Sequence, residues 1–235
     1  MKSVDVVVPV YNEEAVLEQS VATLRQYLAE NVSWQWRIVI ADNASVDNTL
    51  GIARELAGKH PDVAYVHLDL KGRGRALKKA WLESDADAVS YMDVDLSTKL
   101  DAFPQLLQAF DEGYDLAIGS RLTKGSKVIG RSLKRETTSR VYNMLIRIMF
   151  YQSFHDAQCG FKALTREVAQ DIVPLAQDNT WFFDTEVLLL AERRGYRIKE
   201  VPVEWVDDPD SRVDVAKTAM DDIKGLLRVR FRPPF

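Results

Sequence analysis

Apolar, β-branched runs alternate with segments of helical period along the first half of this 235-residue chain. Val4–Val10, Trp36–Ala41, Val63–Leu68, Ala88–Met92 and Tyr114–Ile118 read as strands. Between them, Leu17, Val21, Leu24 and Leu28 recur at helical spacing. Ser45–Ala57, Gly74–Glu83 and the segment carrying Phe103, Leu106, Leu107 and Phe110 read as further helices, with Pro104 tolerated in a first turn. Asn12 reads as the cap of the first helix, with Glu13 and Glu14 in its first turn, where the helix dipole favours acids. Strands alternating with helices predict a parallel sheet covered on both faces. Such sheets bind ligands at the carboxyl ends of their strands, so the polar residues that follow each strand are the ones to inspect.

Beyond Gly119 the rhythm changes. A basic, glycine-containing loop over Gly119–Gly130 leads into a long helix, roughly Ser132–Tyr151. A short segment around Gly160–Leu164 follows, then helices over Glu167–Val173 and Asp184–Arg194 and a strand over Arg197–Val203. The last helix is expected to start at Ser211, whose spacing to Asp214 is a capping-box pattern. Its apolar face is read as Val215, Ala219, Ile223, Leu226 and Leu227.

Hydrophobic residues make up 46% and charged residues 28% of the chain, as in globular domains. No run of about 18 apolar residues predicts a membrane span. The opening MKSVDVVVPVYNEE goes straight into a strand and does not read as a signal peptide. The single cysteine, Cys159, excludes an internal disulfide and a cysteine-based zinc site, so a reducing, cytoplasmic setting is expected. The net charge of −4 hides an asymmetry. Residues 121–147 hold eight basic residues and one acid, Glu136. The acidic remainder argues against nucleic acid as a partner, and the basic stretch argues for an anionic partner at one place.

Asp93 and Asp95, in VSYMDVDLS, end an apolar strand. Alternation predicts both carboxylates on one side, with Met92, Val94 and Leu96 opposite. They are either a solvated pair in a turn or hard ligands for Mg²⁺ or Mn²⁺, and the mouth of a parallel strand favours the metal. The loop Pro9-Val10-Tyr11-Asn12-Glu13-Glu14 could hold a nucleotide base or ribose, or only cap a helix. It lacks the glycine fingerprints of dehydrogenases and nucleotidyltransferases. Asp42 could accept from a base N–H, while Asp47 and Thr49 are expected to brace a turn. Lys71-Gly72-Arg73-Gly74-Arg75 could approach a diphosphate. Asp156 and Gln158 read equally as sugar ligands or as a turn before Gly160. Cys159 is expected to be a packed residue, and Trp181 a core aromatic unless it stacks on a sugar. His60, His67 and His155 lack metal-ligand spacing.

In order and spacing, VPVYNEE, DNAS-x-D-NT, KGRGRAL, MDVDLST, GSRL and DAQCGFK resemble glycosyltransferase family 2 over essentially the whole chain. The likeness is strongest to its polyprenyl-phosphate sugar transferases, the dolichyl-phosphate glucosyltransferases and, slightly further off, the mannose synthases. The resemblance implies a GT-A fold: α/β, a mostly parallel central sheet with helices on both faces. It implies one domain over residues 1–235, with a Rossmann-like nucleotide-sugar half over about 1–98 and an acceptor half over about 99–235. It also implies a nucleotide-sugar donor, UDP-glucose foremost, a divalent cation at Asp93 and Asp95, and inversion at the anomeric carbon. The acceptor implied is a polyprenyl or dolichyl phosphate at the cytoplasmic face of a membrane. Mannosyl transfer from GDP-mannose, a non-lipid acceptor and a nucleotide-sugar-binding scaffold are the alternatives.

Carried over position by position, the resemblance assigns Pro9, Tyr11, Glu13, Asp42, Arg75, Asp93 and Arg212 to the nucleotide sugar. Arg121, Arg135 and Ser139 fall to the acceptor phosphate. Asp93 and Asp95 fall to the metal, and Ser97 stands where mannose synthases often carry a glutamine ligand. Arg212 lacks the glycine that flanks its counterpart, and Glu186 matches a carboxylate position without an assigned role. A lipid phosphate is largely a dianion at neutral pH, so it needs a cationic cradle and no general base. The helix segment Val141–Tyr151 reads either as an interfacial helix or as a core or homodimer helix. The basic end around Arg228, Arg230 and Arg232 suits an anionic lipid surface.

Overall fold

The computed structural model describes residues 2–130, 132–207 and 215–234; for 134, 135 and 215–217 it describes the backbone alone. Nine strands and eight α-helices follow one another through these residues. The strands are β1 Ser3–Val10, β2 Gln35–Asn43, β3 Val63–Leu68, β4 Ala88–Met92, β5 Leu116–Ser120, β6 Lys127–Ile129, β7 Phe161–Thr165, β8 Ile198–Pro202 and β9 Glu204–Val206. The helices are α1 Leu17–Asn31, α2 Thr49–Lys59, α3 Arg73–Leu82, α4 Phe103–Asp111, α5 Leu133–Phe150, α6 Arg166–Ile172, α7 Phe183–Arg193 and α8 Val215–Phe231.

Seven strands form one sheet in the order β3-β2-β1-β4-β7-β5-β8, and β6 pairs with β9 beside it. All pairings in the large sheet are parallel except those of β7, which lies antiparallel between β4 and β5. Both central strands read as continuous apolar runs because both faces are covered. On β1, Val4, Val6, Val8 and Val10 pack with α1, α2 and α4, while Val7 packs toward α3, α7 and α8. Asp5 falls on the second face and is 3% exposed. Its charge is matched by Arg37 at 3.0 and 2.6 Å and by the Ser84 hydroxyl at 2.6 Å.

Several expectations change. Asn12 caps no helix: it adopts φ 55°, and α1 begins at Leu17. Its amide and side chain instead bind Ser45 and Val46 across the strand ends. The sheet is mostly parallel, as expected, with β7 as its antiparallel strand. The three-residue strands β6 and β9 carry too little sequence pattern to be read. The capping pair Ser211 and Asp214 lies outside the described residues. On α8, Leu226 of the expected apolar face is buried, with Val229 beside it in the core, whereas Ile223 and Leu227 are exposed. Among the described residues no helix is long and apolar enough to cross a membrane.

Candidate active site

The polar loops gather at the carboxyl ends of β1 to β5, as the alternation predicts. The first two brace each other. Asn12 N donates to Ser45 Oγ at 3.0 Å, Val46 N to Asn12 Oδ1 at 2.9 Å, and Glu13 N to Thr49 Oγ1 at 2.8 Å. Asp47 Oδ1 accepts from the amide and hydroxyl of Thr49, bracing the turn. Gly72 N donates to Asn43 Oδ1 at 2.5 Å, tying in the third loop. Pro9 sits in β1 opposite Ala41. The Lys71 ammonium lies 3.4 Å from the Tyr11 ring centre. Asp42 is fully buried: Oδ2 meets His67 Nδ1 at 2.6 Å, while Oδ1 has no partner. An orphaned buried carboxylate oxygen is costly, and a ligand N–H would satisfy it.

Asp93 and Asp95 lie beyond the end of β4, in a turn closed by Leu96 N to Asp93 O at 3.1 Å, with Leu96 at φ 50°. A turn, not strand alternation, therefore sets their directions. Arg73 donates to Asp93 Oδ1 and to Asp184 Oδ2, each at 2.5 Å. Its guanidinium lies 5.0 Å from the Tyr91 ring centre and 4.9 Å from that of Trp181. Burial works against the Arg73 charge, but Asp93 and Asp184 outweigh it. Asp184 also takes a hydrogen bond from the Tyr91 hydroxyl and one from Lys162 Nζ at 3.0 Å. With both oxygens so engaged, Asp184 is held below the usual carboxylate range despite its burial. Tyr91 and Lys162 are cross-strand partners on β4 and β7. Asp93 is pushed up by desolvation, with Arg73 opposing and Asp95 and Asp184 adding. Its side chain keeps 43% of its surface open, which tempers that shift.

Arg121 follows β5 and faces Asp156, whose Oδ1 also accepts from Gln158 N at 3.3 Å. Arg121 Nε and Nη2 each donate to Asp156 at 2.8 Å, and the Arg121 amide donates to Oδ2 at 2.9 Å. Both Asp156 oxygens are engaged, so the carboxylate positions Arg121, and of its two expected roles the structural one fits. Burial opposes both charges, but each partner keeps the other ionised. Arg121 Nη1 is left without a partner among the described residues. Gln158 Nε2 donates to Asp222 Oδ2 at 2.8 Å. Ser139 is buried on α5, and its hydroxyl has no partner. Arg135 lies in the first turn of α5, with its side chain outside the described residues, as is all of Arg212.

The family model described as Glycosyl transferase family 2 matches residues 5–173. The chain belongs to glycosyltransferase family 2. Glycosyltransferase AglD of Haloferax volcanii is 36% identical over 96% of this chain, which spans 36% of that relative's length. Dolichyl-phosphate beta-glucosyltransferase ALG5C of Trichomonas vaginalis is 32% identical, with 96% of this chain and 71% of the relative covered. The Saccharomyces cerevisiae dolichyl-phosphate beta-glucosyltransferase is 28% identical, with 96% and 73% covered. Among solved structures, glucosyl-3-phosphoglycerate synthase from Mycobacterium tuberculosis, in complex with Mn²⁺, UDP and phosphoglyceric acid, superposes with a TM-score of 0.73. It shares 20% identity, with 99% of this chain and 80% of that chain covered. The GT-A fold expected from the sequence is shared with this neighbour.

In this family 2 glycosyltransferase the two carboxylates of the Asp-x-Asp turn have a donor set that fits a hard dication. Asp93 Oδ1 is held by Arg73, and Asp95 Oδ1 accepts from Ser97 N at 2.9 Å. Each keeps its second oxygen without a partner among the described residues, and Asp95 is exposed. Among those residues no cluster of three or more His, Cys, Asp or Glu could hold an ion alone, so phosphate or water would complete the shell. Ser97 enters as a brace, through its amide to Asp95 and its carbonyl to Val206 N.

Sequence reasoning placed Arg75 at the nucleotide sugar. Arg75 turns back onto the carbonyls of Leu70 and Lys71, and it is Arg73 that reaches the Asp-x-Asp turn. Trp181 is 44% exposed over Arg73 and is not core. Glu186 is buried and staples α8 to the loop before α7: Oε2 accepts from the amides of Gln177 and Asp178, and Oε1 pairs with Arg228 at 3.1 Å. Cys159 is buried and its thiol is pushed up to about 12, an unreactive packed residue. Sequence reasoning missed the network of Tyr91, Lys162 and Asp184 and, separate from it, His67 on Asp42. The signal was a lysine inside an apolar strand, FKALT, where a charge survives only with a buried partner.

Proposed function

We propose that this glycosyltransferase moves glucose, with inversion, from UDP-glucose to a polyprenyl or dolichyl phosphate at the cytoplasmic face of a membrane, with Mg²⁺ or Mn²⁺ at Asp93 and Asp95. One observation carries the reading. Asp93, the first carboxylate of the Asp-x-Asp turn, stands within electrostatic reach of Arg121, whose fork is fixed by the buried Asp156. That is an arrangement for a donor diphosphate on one side and an acceptor phosphate on the other. The names of the relatives support glucose and dolichyl phosphate. The ligands of the structural neighbour support UDP and Mn²⁺.

In this reading residues 1–98 take the donor. Pro9, Tyr11, Glu13 and Asp42 frame the nucleotide, and Asp42 Oδ1 receives a base N–H. A dication bound at the turn would supply charge stabilisation to the departing nucleoside diphosphate. Arg73 opposes the desolvation of Asp93 and orients it, and the Lys162–Asp184 pair holds Arg73 in turn. Residues 99–235 take the acceptor. Arg121 Nη1 meets the phosphate, with Ser139 and Arg135 as further donors. The phosphate dianion attacks the anomeric carbon directly, so no residue has to remove a proton. Catalysis is then positioning and electrostatics.

The test is a donor screen, in which the protein is incubated with a polyprenyl phosphate and each radiolabelled nucleotide sugar in turn. The expected product is a glucosyl lipid from UDP-glucose, formed only with a divalent cation. A mannosyl lipid from GDP-mannose, or no lipid product from any donor, overturns the reading.

A further inference from the structure

The short strand β9 is held along both edges. On one edge Lys99 N donates to Glu204 O and Val206 N to Ser97 O, each at 2.9 Å, with Thr98 opposite Trp205. On the other edge β6 pairs with it, Val128 opposite Trp205. The first edge is the chain leaving the Asp-x-Asp turn, and the second belongs to the loop that begins at Arg121. Trp205 is therefore the central residue of a strand that joins the donor turn to the acceptor loop.

Alternation puts Glu204 and Val206 on the face opposite Trp205. Glu204 pairs with Lys99 and Lys127 there, and Val206 is exposed. The half-buried Trp205 ring turns inward. It packs against the apolar cluster on the α1 and α4 side of the sheet, and the Arg121 guanidinium lies over it, 5.4 Å from the ring centre. Arg121 is thus held twice, at its Nε and Nη2 edge by Asp156 and by the indole beside it. An aromatic ring within about 6 Å attracts a cation in a way that an aliphatic side chain does not. It also helps to keep water from a side chain that is only 11% exposed, which strengthens any bond Nη1 makes to an anion.

We propose that Trp205 is a positioning residue for the transfer: its ring fixes the Arg121 guanidinium so that Nη1 meets the acceptor phosphate. This rests on the reading of Arg121 as the acceptor-phosphate arginine. Trp205 acts through Arg121 and touches neither substrate. The backbone of β9, not the ring, holds residues 97–99, so a side-chain change at 205 leaves the donor turn in place.

The experiment is titration calorimetry of a short-chain, water-soluble polyprenyl phosphate into protein saturated with UDP and Mn²⁺, a complex with no sugar to transfer. Wild type is compared with Trp205→Phe, Trp205→Leu and the pair Arg121→Gln with Asp156→Asn, which leaves no unpartnered buried charge. Trp205→Leu should weaken acceptor binding about tenfold, and Trp205→Phe, which keeps an aromatic face, by no more than about threefold. Trp205→Met is a second apolar variant with the same expectation as leucine, should leucine lower the melting temperature. Affinity for UDP and Mn²⁺, titrated separately, should stay within about twofold of wild type in all three. Added to the Arg121 and Asp156 pair, Trp205→Leu should cost less than about twofold more, because the ring acts through the arginine. Wild-type acceptor affinity in Trp205→Leu and Trp205→Met overturns the proposal. So does a joint fall in donor and acceptor affinity, or a full further loss in the paired background. If the pair loses acceptor binding and Trp205→Leu does not, the proposal alone falls. Wild-type acceptor binding in the pair takes Arg121 off the phosphate, and the acceptor reading falls together with the proposal.

Discussion

Asp95 is exposed at the tip of its turn, whereas Asp93 is tied to Arg73, so the two carboxylates differ in what their loss should do. Asp95→Ala removes an open ligand oxygen and touches no core contact. Transfer should fall by about a hundredfold or more, EDTA should reproduce the loss in wild type, and thermal unfolding should barely move. Full activity in EDTA would take the metal out of the mechanism. Asp222 makes a different, thermodynamic statement. Burial pushes its carboxyl up to about 7, with Gln158 opposing and Asp178, Asp184 and Asp221 adding. Its Oδ1 is buried without a partner. In the unfolded chain the same group titrates near about 3.9. The folded state therefore holds the extra proton between those values, and the stability it brings declines as pH rises from about 4 to about 7. Asp222→Asn cannot ionise, so it should match wild type near pH 4 in urea unfolding. At pH 8 it should be the more stable protein by at most about 4 kcal/mol, three units at about 1.36 kcal/mol each. Equal stability of the two proteins at pH 8 would mean that the carboxyl is not buried as described.

At the scale of elements, the site depends on close approaches that only glycine permits. A Cβ on Gly160 would lie 1.8 Å from Asp93 Oδ2, and one on Gly74 would lie 2.6 Å from Phe183 Cβ. Gly160→Ala should displace the Asp93 carboxylate and cut UDP–Mn²⁺ affinity in calorimetry. Gly119→Ala, whose Cβ would press on Val203 and Cys159 in the core, should act on stability instead. Wild-type nucleotide affinity in Gly160→Ala would separate Asp93 from the donor site. The elements that set these approaches were largely legible in the sequence, because β1, β3 and β4 are apolar runs and the helices between them keep a clean period. The antiparallel direction of β7 was not legible, since FKALT has no feature that distinguishes it from a parallel strand. Arg73 and Arg75 could not be ranked either: two arginines separated by one glycine are alike in sequence, and only the start of α3 decides which one points at Asp93. Trp181 was misjudged because a composition-based prior buries tryptophan, while here an arginine supports its exposed ring.

For the whole molecule, one sheet crosses both proposed halves, and β4 is the seam. Its five residues are all buried, with β1 on one side and β7 on the other. A fragment of residues 1–98 would leave that edge bare and apolar, so it is expected to aggregate, with no dispersed amide spectrum in NMR. A soluble, well-dispersed fragment would show that the donor half folds on its own. The basic stretch and the Asp-x-Asp turn were visible in the sequence as chemistry. Their convergence was not, because it is made by the strand order, which no local pattern encodes. The reversal at β7 has a further consequence. β5 ends at Ser120 and β7 begins at Phe161, and the two strands run side by side with Ile118 opposite Lys162. The described residues between 121 and 160 therefore leave the large sheet and return to it at adjacent points, like a cartridge seated in a fixed socket. Grafting that span from a relative would exchange the acceptor-side loops without altering the register of any strand beneath the nucleotide.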